Sequence, residues 1–181
     1  MQLDNKISVV EAILFASGEP IEFERLAEAS DVEIATLHKL VTLLNQKYAE
    51  SGSALEVLKL GDKYQLATRS EFAPYIRTAM ETKRTAMLSA AAMEVLTIIA
   101  YNQPVTRSFI DDVRGVDSSG VVSNLVEKEL IEESGRLDVP GRPLLFKTTD
   151  NFLRCFKLSS IAELPPLPND GSQVTFDDIE E

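Results

Sequence analysis

Apolar residues recur every three or four positions in several stretches of the chain, and this spacing predicts amphipathic helices. The longest pattern runs from Ile34 to Tyr48, and Gly52 follows its end. Shorter helical patterns lie before and after it. The predicted helices span residues 6–16, 23–29, 34–48, 71–82, 90–101, 107–113, 119–130 and 151–158. Ser89 and Thr106 are expected to cap the two helices that follow them. The apolar spacing predicts that Tyr75, Met80 and Met93 face inward.

Alternating apolar and polar positions predict two β-hairpins. In the first, Leu55–Leu60 and Tyr64–Thr68 are the strands and Gly61-Asp62 is the turn. The second lies between Gly135 and Phe152.

The stretch from Gly135 to Phe152 predicts a hairpin at the end of a helical segment. Its arms are Arg136–Val139 and Leu144–Thr149. Pro140-Gly141 is a turn signal, because proline presets φ and glycine supplies a positive φ. Asp150 is expected to cap the helix that follows. A hairpin placed in this way is how a winged-helix domain presents its wing.

The two halves of the chain repeat. An offset of 84 residues sets Pro20 on Pro104 and Val41 on Leu125. Each half has the order helix, short helix, longer helix, hairpin, helix, which predicts two domains of the same fold. The predicted fold class is mainly α with small β-hairpins (α+β), in two tandem winged-helix domains. Their ranges are 1–84 and 85–162, followed by an acidic, flexible tail at 163–181.

The charge balance bears on whether such domains bind DNA. The formal net charge of the 181 residues is −11, so the chain on average repels phosphates. Six acids and no base lie after residue 162, which leaves −5 for the rest. The helix at 119–130 offers two acids and one lysine, a poor surface for a major groove. A winged-helix, DNA-binding transcription regulator is therefore the alternative function.

The wing carries Arg136, Arg142 and Lys147, offset by Asp138. Arginines suit bidentate contacts with the carboxylates or carbonyls of a partner, and the flanking prolines favour a rigid edge. Three roles stay open from the residues alone: a DNA contact, a protein-docking edge, and pairing of the arginines with acids of their own domain.

Candidate chemistry is sparse. One histidine and one cysteine are too few for the usual zinc site, and no glycine-rich phosphate loop occurs. His38 has no ligand at metal spacing, and Cys155 lacks the context of a nucleophile, so a packed thiol is expected. We therefore expect no enzyme, no cofactor and no metal. The lone cysteine, with no signal peptide and no membrane-spanning run, predicts a cytoplasmic protein.

Three stretches of the sequence resemble one known family. Leu96–Val116 is LTIIAYNQPVTRSFIDDVRGV, and the wing contains GR…VPGRPLLFKTTDNF. The opening Glu11–Ile21, EAILFASGEPI, is similar to the start of the same family. Together these motifs resemble segregation and condensation protein B (ScpB) over about residues 5–160.

The resemblance implies a non-enzymatic subunit of the bacterial SMC–kleisin complex, which supports chromosome condensation and segregation during cell division. Proteins similar to ScpB have two winged-helix domains and form homodimers largely through the N-terminal domain. They hold the kleisin ScpA, with much of the contact from the C-terminal domain. Association with SMC and with DNA is then indirect, at the nucleoid in the cytoplasm, and no membrane is involved.

The resemblance also suggests contact residues. The wing motif of the family falls on Arg136, Pro140, Gly141, Arg142 and Pro143, and the start of its second domain falls on Tyr101, Gln103, Arg107 and Arg114. For kleisin docking we expect Tyr101, Arg107, Arg114, Arg136 and Arg142, while Pro140 and Gly141 act through backbone geometry. For dimerisation the candidates are Ile7, Val10 and Leu14, with core packing as an equal alternative.

Overall fold

The structure is a computed structural model, and it describes residues 3–80 and 87–167. The chain divides into two compact units, Met1–Thr85 and Ala86–Glu181. Each unit combines helices with a three-stranded antiparallel sheet, so the fold is mixed α and β. The predicted boundary at 84/85, the end of the helix predicted for 71–82, and most of the predicted tail lie outside the described residues.

The first unit places its helices around a small sheet with the strand order β1-β3-β2. A 3-10 turn at Ser70–Phe72 precedes the last helix. The hairpin between β2 and β3 turns at Gly61-Asp62, as predicted. The elements are α1 (Leu3–Ser17), β1 (Ile21–Glu22), α2 (Phe23–Ala29), α3 (Ile34–Glu50), β2 (Leu55–Leu60), β3 (Lys63–Thr68) and α4 (Ala73–Ala79).

The core of the first unit forms where the apolar faces of α1 and α3 meet. Leu14, Leu37 and Leu44 are fully buried there. The hydroxyl of Tyr48 on α3 donates to Oε1 of Glu11 on α1 at 2.7 Å. Burial, reinforced by this carboxylate, raises the pKa of Tyr48 well above its usual range. The two helices are thus joined by packing and by one polar contact.

His38 forms an aromatic cluster with Phe23 and Tyr64, and the cluster packs against this core. Its Nδ1 lies 2.7 Å from the hydroxyl of Tyr64 on β3, and its ring meets the edge of Phe23 at 4.9 Å between centroids. Burial raises the pKa of Tyr64. The histidine is half-buried and packs between secondary-structure elements.

The second unit repeats this arrangement, with the strand order β4-β6-β5. Ser89 and Thr106 cap its first two helices, as predicted, by accepting from Ala92 N and Phe109 N, each at 3.2 Å. A 3-10 turn at Ile161–Glu163 follows the last helix. The elements are α5 (Ala90–Asn102), β4 (Val105–Thr106), α6 (Arg107–Arg114), α7 (Ser119–Glu127), β5 (Ile131–Arg136), β6 (Leu144–Thr148) and α8 (Asp150–Phe156).

Two short strands, β1 and β4, were not predicted. Each has only two residues, too few to show an alternating pattern. Ile21 lies opposite Tyr64, and Val105 lies opposite Phe146, so each strand adds to the free side of a hairpin. The predicted hairpins are therefore parts of three-stranded sheets. The first arm predicted for the second hairpin, Arg136–Val139, was wrong, because pairing with β6 begins at Ile131 and the strand ends at Arg136.

Several predicted orientations are wrong. Tyr75 and Met80 were expected to face inward, yet they are 74% and 71% exposed, because α4 spans only Ala73–Ala79 and buries no residue fully. Met93 on α5 is 40% exposed, since the buried face of this helix is set by Val95, Leu96 and Ile99. The cap of α8 is one residue earlier than expected. The hydroxyl of Thr149, rather than Asp150, accepts from Phe152 N.

Asn45 on α3 forms hydrogen bonds with the outer edge of β2 at Val57. Val57 N donates to Asn45 Oδ1 at 2.7 Å, and Asn45 Nδ2 donates to Val57 O at 2.9 Å. The side-chain amide thereby satisfies one donor and one acceptor, as a neighbouring strand would.

Replacing Asn45→Ala should lower the free energy of unfolding by about 1–2 kcal/mol. Two backbone groups lose their partner, at a net of about 1 kcal/mol each, and the better helix propensity of alanine offsets part of that loss. Urea unfolding followed by circular dichroism measures the change. The matched control is Gln46→Ala on the same helix, which removes only an exposed contact with Glu50 and should cost below about 0.5 kcal/mol. Equal effects of the two variants would contradict the role given to Asn45.

Candidate partner-binding surfaces

The wing is the hairpin of β5 and β6, and backbone geometry fixes its tip. Arg142 N donates to Val139 O at 2.9 Å, which closes the turn predicted at Pro140-Gly141. Gly141 has a φ of 88°, a region that glycine adopts without steric cost, and Arg142 has a φ of 41°. The tip is therefore a tight turn that suits the backbone role expected for its proline and glycine.

The cations of the wing differ in what they bind. Nη1 of Arg136 donates to Arg142 O at 2.9 Å, so Arg136 braces the tip through a carbonyl oxygen. Lys147 pairs with Glu132 at 3.3 Å across the two strands. The side chain of Arg142 is exposed, and its guanidinium has no hydrogen bond or ion pair with any residue in 3–80 or 87–167. It is free to meet a carboxylate or phosphate of a partner.

Arg114 lies at the end of α6 inside a polar network, and its side chain is only 9% exposed. Nε donates to Glu94 Oε2 on α5 at 2.9 Å, and Nη1 donates to Ser118 Oγ at 3.0 Å. Ser118 is fully buried, and its backbone N donates to Asp111 Oδ1 at 2.7 Å. The guanidinium thus links α5, α6 and the start of α7, and these contacts orient it inward.

Two further residues of the predicted set contact their own unit. The hydroxyl of Tyr101 donates to Pro165 O at 2.5 Å, so it holds the segment that follows the 3-10 turn at Ile161–Glu163. Gln103 Oε1 accepts from both N and Oγ1 of Thr148, at 2.6 and 2.9 Å, which ties the end of α5 to β6. Arg107 is more open. Its side chain is 57% exposed, and its nearest acid, Asp111, lies 3.9 Å away.

An open groove of about 360 Å³ lies beside β6 in the second unit. Its apolar lining comes from Pro104, Leu153 and Ile161, and Lys147 and Thr149 add polar atoms. The groove adjoins Gln103 and contains neither Arg107 nor Arg142. None of the five predicted docking residues lines this groove.

The three residues expected at a dimer interface are buried in the core of the first unit. Ile7, Val10 and Leu14 are 5%, 0% and 1% exposed, so they pack against α3, which is the alternative that the sequence left open. Phe15, the residue after Leu14, is 75% exposed. A surface on α1 that meets a second copy would therefore present Phe15.

The two helices that follow the short helices α2 and α6 differ in positive charge. α7 has no lysine or arginine within Ser119–Glu127, and α3 has two exposed lysines, Lys39 and Lys47. On α3, His38 and Asn45 are engaged with Tyr64 and Val57 and are not available to bases. The DNA-reading alternative gains no support from these surfaces.

No group of three or more metal-binding side chains occurs within the described part of the chain. No helix there is long and apolar enough to cross a bilayer. Cys155 on α8 was expected to be packed, and it is exposed instead, with Sγ 3.8 Å from Asn151 Oδ1.

Replacing Arg114→Ala should lower the free energy of unfolding by about 2 kcal/mol, because two charge-assisted hydrogen bonds are lost at a largely buried guanidinium. Arg107→Ala is the matched control on the same helix. Its exposed, long ion pair predicts a change below about 0.5 kcal/mol. Urea unfolding of both variants measures the difference, and similar values would show that the network around Ser118 does not hold the unit together.

Comparison with known proteins identifies the family. The family model described as "Segregation and condensation complex subunit ScpB" matches residues 8–167. Segregation and condensation protein B of Clostridium acetobutylicum is 40% identical over 167 residues, which cover 92% of this chain and 83% of the relative. A crystal structure of ScpB from Mycobacterium tuberculosis is 29% identical, with a TM-score of 0.42, and covers 86% of this chain and 97% of that chain. A crystal structure of a dimer of the ScpB N-terminal domain complexed with ScpA peptide is 27% identical, with a TM-score of 0.40, and covers 42% of this chain and 96% of that chain. The matches in sequence, over nearly the whole length, show that the chain belongs to the ScpB family of segregation and condensation complex subunits.

Proposed function

We propose that the chain is a non-enzymatic, homodimeric scaffold of the SMC–kleisin complex that binds the kleisin ScpA and so supports chromosome condensation and segregation. Membership in the ScpB family, over residues 8–167, is the observation that carries this proposal. Binding of SMC and DNA is then indirect and places the protein at the nucleoid.

Each unit is proposed to be a winged-helix domain, with ranges 1–84 and 85–162 and a tail at 163–181. The support is the repeated order of elements. In both units, three helices with a two-residue strand between the first two precede a hairpin, and that strand pairs with the second strand of the hairpin. The hairpin β5–β6 is the wing of the second domain.

The first domain is proposed to form the homodimer. Because Ile7, Val10 and Leu14 belong to its core, their role in a dimer is to hold α1 in position. Phe15 is the residue of α1 that contacts the second copy. Small, exposed Ala12 and Ala16 flank Phe15 and leave its ring accessible.

The second domain is proposed to hold the kleisin. Of the five candidate residues, Arg142 and Arg107 present exposed guanidinium groups to a partner. Arg114, Arg136 and Tyr101 act through the parts of the domain that they position.

Light scattering coupled to size-exclusion chromatography tests the proposal with the full chain, alone and with the cognate ScpA. We expect a dimer alone and a larger, stable complex with ScpA. A monomeric mass for the chain alone would overturn the homodimer. The absence of a complex with ScpA at micromolar concentration would overturn kleisin binding.

Phe15→Asp should shift the mass of the chain alone from dimer to monomer, because a charge would replace the ring at the proposed contact. The fold should persist, since the side chain is exposed. Tyr75→Asp, at another exposed aromatic residue of the same unit, is the matched control and should leave the mass unchanged. A dimer that survives Phe15→Asp would place the interface elsewhere.

Arg142→Ala should weaken the affinity for ScpA about tenfold, since an exposed guanidinium at the wing tip would lose charge-assisted hydrogen bonds to the partner. Isothermal titration calorimetry gives the two dissociation constants. Arg77→Ala, at an exposed arginine of α4, is the control and should bind as the unaltered chain does. Equal affinities for all three proteins would remove Arg142 from the interface.

A further inference from the structure

The groove beside β6 offers apolar surface to a ligand. Of its apolar lining residues, Pro104 is exposed, Ile161 is half-buried, and Leu153 is 6% exposed. Its volume of about 360 Å³ is at the small end of the range for ligand sites, which is about 300–1,000 Å³. A groove of this size and lining suits a few side chains of an extended peptide.

Polar side chains of the groove are engaged within the second unit. Gln103 Oε1 accepts from N and Oγ1 of Thr148. Lys147 is paired with Glu132 at 3.3 Å, and Asp150 lines the same groove, so the groove has no excess of either charge. Apolar contact, rather than charge, therefore selects what binds there.

The described part of the chain ends close to this groove. The hydroxyl of Tyr101 donates to Pro165 O, and Gln103, two residues after Tyr101, lines the groove. Consecutive Cα atoms are about 3.8 Å apart, so the Cα atoms of Tyr101 and Gln103 lie within about 8 Å of each other. Ile161 lines the groove as well, and residues 162–167 follow it directly. Residues 168–181 therefore begin next to the groove.

The sequence of residues 168–181, PNDGSQVTFDDIEE, combines a turn signal with apolar side chains. Proline presets φ and Asp-Gly favours a turn, so the stretch 168–171 favours a reversal of the chain toward the groove. Val174 and Phe176 follow, and alternate side chains of an extended chain lie on the same side. Residues 168–173 span up to about 20 Å when extended, which is enough to bring these two side chains to the groove.

Covalent attachment favours this segment over a partner from solution. A segment that is tethered through a few residues has an effective concentration of about 1 mM at a neighbouring site. A contact with a dissociation constant of about 0.1 mM is then about nine-tenths occupied. A separate peptide of equal affinity would have to exceed that effective concentration to displace the segment.

We propose that the groove beside β6 is a docking site for the chain's own segment 168–181, in which Val174 and Phe176 contact Pro104 and Ile161. The acids from residue 177 onward remain in water. The inference goes beyond the proposed function, because the contact forms in the chain alone. Any partner that uses the groove then has to compete with the segment.

A nitroxide attached to Cys155 tests the contact in the full chain. Cys155 is the only cysteine of the sequence, it is exposed, and it lies on α8 two residues after Leu153. A nitroxide broadens the NMR signals of amides near it, and the effect falls steeply with distance. The amide signals of residues 174–177 should be broadened in the unaltered chain and should sharpen when the nitroxide is reduced.

Phe176→Ser should lower the equilibrium constant for docking at least about tenfold, because the largest apolar side chain of the segment is lost. An occupied fraction of about nine-tenths would then fall to about one half, and the broadening would fall with it. Thr175→Ala, on the other side of an extended segment, is the matched control and should leave the broadening unchanged.

Variants of the groove test the other side of the contact. Ile161→Asp should reduce the broadening as Phe176→Ser does, because a carboxylate would replace an apolar lining residue. Ala162→Asp is the matched control, since Ala162 is exposed in the same 3-10 turn and does not line the groove. It should leave the broadening unchanged.

Equal broadening in the unaltered chain and in Phe176→Ser would overturn the docking. An effect of Phe176→Ser without an effect of a folded Ile161→Asp would overturn the groove as the site. Broadening that appears when spin-labelled chain is mixed with isotope-labelled chain without a nitroxide, and that Phe176→Ser removes, would show that a second copy supplies the segment. Phe176→Ser alters no residue of the described fold, so it decides the matter even if Ile161→Asp does not fold. None of these measurements uses ScpA, so a negative result leaves the proposed function intact.

Discussion

The backbone of an edge strand must find partners, and the length of one helix decides how each sheet of this protein meets that need. α3 is long enough to bring Asn45 to Val57, so its side-chain amide satisfies the outward backbone groups at that point of β2. α7 has nine residues, against 17 in α3, and ends at Glu127, so no residue of this helix takes the place of Asn45 beside β5. Two copies of one arrangement therefore differ in how a helix meets the edge of its sheet. The repeat conserves the core pattern while the helix length changes the surface.

Three polar residues of the family motifs stabilise the second unit through contacts with its own residues. Gln103 ties α5 to β6, and Arg114 joins three helices around the buried Ser118. Arg136 braces the turn by bonding to the carbonyl of Arg142. Gln103 thereby satisfies a backbone donor of β6, Arg136 satisfies a carbonyl of the turn, and Arg114 satisfies the buried hydroxyl of Ser118. What remains for a partner is a rigid wing tip with the exposed guanidinium of Arg142, presented by a scaffold that its neighbours have already fixed.

Much of this fold could be predicted from the sequence, because long periodic patterns such as that of α3 depend on one buried face. The two-residue strands β1 and β4 could not, since they exist only through pairing with β3 and β6. The predicted inward face of α4 was also wrong, because its seven residues make only about two turns and none of them is buried. At the candidate site, composition indicated which residues were charged. It could not show that Arg114 points inward and Arg142 outward, since that depends on partners distant in sequence.

The distribution of charge bears on the kind of partner that the chain can approach. A formal net charge of −11 repels DNA phosphates on average, and α7 has no lysine or arginine within Ser119–Glu127. The same net charge favours the approach of a basic protein surface, because long-range attraction raises the rate of encounter. At short range the wing tip has the opposite character, since the exposed guanidinium of Arg142 suits a carboxylate. The overall charge and the local contact therefore select for different features of one partner.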